Sequence, residues 1–91
     1  MAYVKIYFSS RFARSYKKLP SKVKEIAAKK EKIFRKNPFD VRLKAHKLRG
    51  GLKKFWSFSI DDKYRIIFRF QDRETVLFYS VGDHSIYKFW D

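Results

Sequence analysis

Two arginines, Arg65 and Arg69, stand four residues apart in the run YRIIFRF, from Tyr64 to Phe70. Read as a strand, that run turns alternate residues to opposite sides. Arg65, Ile67 and Arg69 then share one face, and Tyr64, Ile66, Phe68 and Phe70 share the other. His84 comes directly after Gly82-Asp83 at the end of the next β-forming run, and Lys53-Lys54 opens the run before. A sheet face edged by guanidinium, ammonium and imidazole groups suits a phosphodiester, because arginine forks match phosphate oxygens and imidazole titrates near neutral pH. The plainer reading is a row of exposed strand arginines, which an antiparallel sheet with one wet face tolerates without any function.

Several elements must position these groups. Tyr3 to Phe8, YVKIYF, is rich in β-branched and aromatic residues and predicts a strand. Ser9 or Ser10 caps a helix that carries Phe12, Tyr16 and Leu19 at spacings of four and three. Pro20-Ser21 interrupts it, with Ser21 favoured as a cap. A second helix runs from Lys22 to about Lys36, with Val23, Ile26, Ala27, Ile33 and Phe34 as its apolar stripe and the Lys30 stem along it. Asn37-Pro38 ends it, since the residue before proline leaves the α region. After the turn signal Arg49-Gly50-Gly51, the period changes to two: Trp56, Phe58 and Ile60 alternate with Ser57 and Ser59. Asp61-Asp62-Lys63 and Gln71-Asp72-Arg73 are turns that separate this strand from Tyr64–Phe70 and from Thr75–Val81. The expected fold is α+β in one domain over residues 1–91: an N-terminal strand at an edge, a two-helix hairpin, then a three-strand antiparallel meander.

Charge is unevenly spread over this plan. The chain has 91 residues, a formal charge of +14, and 45% hydrophobic and 20% aromatic content. So many large apolar side chains argue for a packed core rather than a disordered basic tail. Of the 23 Lys and Arg, 18 precede Phe55, together with only 3 of the 9 acids. Like charge at this density opposes compaction, so an anionic partner is expected for the block, even though any single lysine is most simply a solvated one. With no cysteine and two histidines, disulfides, thiolate sites and Cys nucleophiles are excluded and a structural zinc is disfavoured. No apolar run approaches the ~20 residues of a membrane span, and MAYVKIYFSS lacks a signal-peptide layout. A soluble cytoplasmic protein is expected.

FWSFSIDDKYRIIFRF (Phe55 to Phe70), followed by VGDHSIY (Val81 to Tyr87) and preceded by HKLRGGLKKFW (His46 to Trp56), resembles the RelE/ParE superfamily of bacterial toxins. The likeness is greatest to its YoeB- and YafQ-like ribonuclease branches and covers nearly the whole chain. It implies the toxin of a type II toxin–antitoxin pair, a metal-independent endoribonuclease with no cofactor that cuts mRNA in the ribosomal A site. The reaction is attack of a ribose 2′-hydroxyl on the adjacent phosphate. It needs a base, cations for the phosphorane and an acid for the leaving oxygen. By resemblance, Arg65 is the phosphate-stabilising arginine and His84 the general acid or base. Tyr87 stacks on a base or assists the chemistry, and His46 matches the first histidine of the YafQ-like branch. Lys53, Lys54, Arg69, Arg49, Lys47, Lys29 and Arg35 are the expected RNA-binding cations, and a cognate acidic antitoxin is the expected partner.

Ser57 and Ser59 depart from the family, many of whose nucleases carry Lys, Arg, His or an acid at these positions. Serine is a poor base at neutral pH, which leaves His46, Asp61 or Asp62 for that role and leaves weakened cleavage open. Asp61 and Asp62 are otherwise plain turn residues, Trp56 and Tyr64 core, and Tyr87 packing for the C-terminal segment. Phe89 and Trp90 either seal the core or meet a partner. Two other functions stay in view: a ParE-like toxin that inhibits DNA gyrase by binding it, and a passive basic RNA-binding module.

Overall fold

A computed structural model describes residues 4–49 and 54–83. In chain order the elements are β1 (Lys5–Phe8), α1 (Ser10–Lys17), α2 (Ser21–Lys36), a 3-10 turn (Val41–Leu43), β2 (His46–Lys47), β3 (Trp56–Ser59), β4 (Tyr64–Phe70) and β5 (Thr75–Asp83). One five-stranded sheet has the order β1-β5-β4-β3-β2. The meander β3-β4-β5 is antiparallel as expected, and β1 joins its edge. The sheet is mixed, because β1 runs parallel to β5, with Lys5 opposite Thr75 and Phe8 opposite Phe78. The short edge strand β2 is an addition to the expected plan, pairing His46 with Ser57 and Lys47 with Trp56.

The helices begin and end for local reasons. Ser9 caps α1, accepting the Phe12 N–H on its hydroxyl. At α2 the expected cap is displaced by one residue. Pro20 is the N-cap, its carbonyl accepting the Lys24 N–H, and Ser21 is the first helical residue, making no side-chain cap. Proline needs no N–H there, and its fixed φ suits the position. Asn37 is extended at the other end, as Pro38 requires. The Lys30 ammonium reaches across to donate to the Arg42 carbonyl, tying α2 to the 3-10 turn.

Both helices pack on one face of the sheet. Phe34 is fully buried beneath Phe58, Phe68 and Phe78, with ring centroids 4.9 to 5.1 Å apart. Val23, Ala27, Phe12, Ile66, Val76 and Val81 extend this core, together with Leu19, Leu43 and Ile60. The strand alternation has one interruption. Ile67 pairs with Ser80 but Phe68 with Phe78, so Tyr79 is an extra residue in β5. The bulge turns both Tyr79 and Ser80 away from the helices and returns Val81 to the core. Two serines of the α1 region serve the backbone beside it: the Ser9 hydroxyl donates to the Tyr79 carbonyl, and the Ser15 oxygen accepts the Val81 N–H.

Candidate functional site

The helix-free face of the sheet gathers the residues that the chemistry needs. Strand register puts His46, Ser57, Ile67 and Ser80 in one row, and Ser59, Arg65 and Gly82 in another. The expected separation of faces holds, with Arg65, Ile67 and Arg69 opposite Ile66 and Phe68. The expected wet face does not hold throughout. Ser57, Ile67 and Ser80 are buried, and both arginines are half-buried. Ile67 is apolar, so exposing it would oppose folding.

Arg65 is braced by its own turn. Nη1 donates to the carbonyls of Asp61 and Tyr64, and Nη2 donates to the carbonyl of Asp62 at 3.2 Å. These three bonds use one end of the guanidinium and leave Nε–H and one Nη2–H, a pair of parallel donors suited to two oxygens of one anion. The Asp61 carboxylate is engaged in the same turn, where Oδ1 accepts the N–H groups of Lys63 and Tyr64. It acts as a turn residue. Ser57 is fully enclosed, which withdraws it from proton transfer.

His46 is exposed at the sheet edge, and its Nδ1 lies 3.3 Å from the Lys44 carbonyl. A proton on Nδ1, donated there, leaves the lone pair on Nε2, the tautomer that a general base requires. Lys44 itself is left-handed, φ 53°, where the 3-10 turn ends. His46 and Arg65 are two strands and two residues apart, about 12 Å between Cα atoms by sheet geometry. Among the described residues, no three His, Asp or Glu side chains are grouped as a metal site would need.

The expected RNA-binding cations separate into groups. Lys47, Lys54 and Arg69 line one open cavity of about 540 Å³ with Trp56, Phe70 and Gln71. Arg49 is exposed just beyond β2. Lys29 and Arg35 are on α2, the helix packed on the other face, and Arg35 is 3.8 Å from Glu31. Lys53, His84 and Tyr87 lie outside the described residues. Sequence reasoning passed over the aromatic groups here. Arg69 sits over the Phe55 ring at 5.8 Å, Phe55 meets Tyr79 at 5.1 Å, and Arg11 sits over Tyr79 at 5.5 Å. The alternation of Phe55 with Ser57 and Ser59 already put it on this face. Tyr79 required the bulge.

A second cavity, about 450 Å³, opens on the helix side. Its walls are Phe8, Phe12, Tyr16, Ala28, Ile66 and Phe78, with Lys17 and Glu31 as its charged members. Phe8 in its wall is more than half exposed.

A family model described as the ParE toxin of type II toxin–antitoxin systems, parDE, matches residues 6–86. Comparison with curated proteins found no match. Among solved structures, YafQ from E. coli strain BL21(DE3) superposes with a TM-score of 0.77 at 15% identity, covering 91% of this chain and 96% of that one. The YoeB/ParE toxin from Agrobacterium tumefaciens gives 0.74 at 16%, covering 89% and 99%. The RelB–RelE antitoxin–toxin complex from Methanococcus jannaschii gives 0.70 at 22%, covering 92% and 98%. At these identities the structural likeness is one of fold.

Proposed function

The chain belongs to the ParE toxin family of type II toxin–antitoxin systems, within the RelE/ParE superfamily, and on that footing we propose that it is an endoribonuclease cutting mRNA on the ribosome without a metal. The observation that carries this reading is the sharing of the helix-free face by an exposed imidazole, His46, and a braced arginine, Arg65. With Ser57 enclosed and Asp61 held in its turn, His46 Nε2 takes the proton of a ribose 2′-hydroxyl. The 2′-oxygen attacks the adjacent phosphorus, and the P–O5′ bond breaks. His84 gives a proton to the departing 5′-oxygen, so one proton is taken and one returned. The products are a 2′,3′-cyclic phosphate and a 5′-hydroxyl. Arg65 meets the phosphorane charge with Nε–H and Nη2–H, and its braced position removes reorganisation from the barrier. Tyr87 stacks on a base beside the scissile bond.

The antitoxin's place in this reading is the apolar cavity on the helix side. Its charged wall residues are Lys17 and Glu31, and nearby the Lys24 ammonium stands 5.6 Å over the Tyr16 ring. An amphipathic segment of the acidic antitoxin matches its apolar walls and can pair an acid with Lys17 or Lys24.

Inducing the chain alone and mapping mRNA 5′ ends, with and without ribosomes, tests the reaction. The paired substitution Arg65→Ala and His84→Ala removes the cuts and the growth arrest if the assignment is right. Cuts that persist in that variant end it. One observation favours a second reading: β3 offers the face only serines, with Ser57 enclosed. A ParE-like protein inhibitor of DNA gyrase needs no acid–base group there. Loss of supercoiling with intact mRNA would select that function.

A further inference from the structure

Arg69 stands four residues from Arg65 on β4, about 13 Å along the strand. The cavity it lines is therefore offset from Arg65, and its Lys47 adjoins His46 on β2, where alternation turns the two side chains to opposite faces. Three cations, Lys47, Lys54 and Arg69, converge on this cavity, and among the described residues no acidic one lines it. None of the three takes part in an ion pair with another described residue. The remaining walls are the Trp56 indole, the Phe70 ring and the Gln71 side chain. Phe39, 54% exposed, stacks on Phe70 at 5.7 Å and meets Trp56 edge-on at 5.3 Å, which continues the aromatic surface outward.

We infer that this cavity is a nucleotide seat, holding one base and its phosphate of a single-stranded RNA away from the cut bond. Uncompensated cations alone would accept any polyanion. The flat aromatic wall narrows the choice, because a stacked base gains from it and a carboxylate chain does not. A duplex keeps its bases stacked inside, so only a single strand offers one. About 540 Å³ is within the usual range for a small-ligand pocket. Gln71 follows Phe70 at the end of β4, and its amide presents both a donor and an acceptor to a base edge. RNA as the polyanion rests on the ribonuclease reading. The seat adds to that reading a residue set that fixes the register of the strand on β4, and hence which phosphate reaches Arg65.

The test uses the full chain carrying Trp90→Phe, which leaves Trp56 as its one indole. The probes are a 2′-O-methyl adenylate hexamer, which cannot be cut, an abasic hexamer of equal charge, and a hexaglutamate. The adenylate should quench Trp56 and bind about tenfold or more tighter than the abasic strand. Phe70→Leu should bring the two strands close to equal affinity. Gln71→Ala, on an exposed residue, should narrow the gap without disturbing the fold. Equal affinity for the two strands in the parent chain overturns the seat, and so does a hexaglutamate that binds and quenches as well as the adenylate. A chain that separates the strands but cuts no mRNA retires the ribonuclease reading and keeps the seat. A chain that cuts mRNA without separating them does the reverse.

Discussion

The two cavities are of similar size and opposite chemistry. The one of about 450 Å³ is walled by Phe, Tyr, Ala and Ile from both helices and the sheet, and among the described residues Lys17 is accompanied in its wall by Glu31. The one of about 540 Å³ brings two lysines and an arginine together against Trp56 and Phe70, with no acid among the described residues. An apolar cavity binds by removing area from water, which salt does not weaken, whereas a cationic one binds by releasing counterions, which salt does weaken. The +14 charge is thus not a uniform coat. Part of it is gathered by strand pairing into a place where a polyanion would sit, while an apolar seat is kept for something else.

The largest effect should come from the residue beneath both regions. Phe34→Ala removes a fully buried ring packed on Phe58, Phe68 and Phe78. It should cost about 3 to 5 kcal/mol in urea unfolding, a large part of a small domain's stability. Because Phe68 in turn meets Trp56 and Phe70, both cavities should lose definition together. Ala28→Gln separates them. It puts an amide into the apolar cavity from an exposed helix position and leaves the net charge unchanged. Titration with the cognate antitoxin should show binding about tenfold weaker, or about 1.4 kcal/mol, with RNA affinity unchanged. Arg69→Ala makes the reverse cut. The slope of log affinity against log salt for single-stranded RNA should fall by about 0.7, the share of one phosphate contact, with antitoxin affinity unchanged.

What was legible in the chain follows from the range of the forces involved. The helices could be read because Ser9, Asn37 and Pro38 act within a turn of themselves. The strands of the meander could be read because alternation is local, and so could the shared face of Arg65 and Arg69. Strand β2 could not, since two residues in a basic loop carry no period, and its pairing depends on Ser57 and Trp56. The bulge at Tyr79 was equally hidden: strict alternation puts Ser80 inside, and only packing against Ile66 decides for Val81. At the site, the folding of the Arg65 guanidinium onto its own turn depends on where three carbonyls point. The cavity of Lys47, Lys54 and Arg69 exists only once three strands are in register. Residue types gave good guidance on which cations were available, and little on which of them meet.

The smallest effect concerns the connection from α2 to β2, which touches one cavity and not the other. Asp40 caps the 3-10 turn, accepting the Arg42 N–H and both Nε and Nη2 of the same guanidinium at 2.9 to 3.0 Å. The side-chain bonds to Arg42, then its backbone N–H, hold the carboxyl at about 2, below its ordinary 3.8. A depressed carboxyl stabilises the fold above its unfolded pKa, and that contribution drains away as pH falls through the folded value. It should therefore be complete above about pH 4 and lost toward pH 2. Asp40→Asn should flatten this part of the dependence of the urea midpoint on pH, by a small amount because the pair is solvent-screened. The same segment carries Phe39 over Trp56 and Phe70. Proton resonances of those rings should shift between pH 4 and pH 2 in the parent chain and less in the variant, while Phe12 and Phe78 beside the apolar cavity stay fixed. If Phe12 and Phe78 moved in step with Phe39, the two cavities would be one cooperative unit rather than two seats.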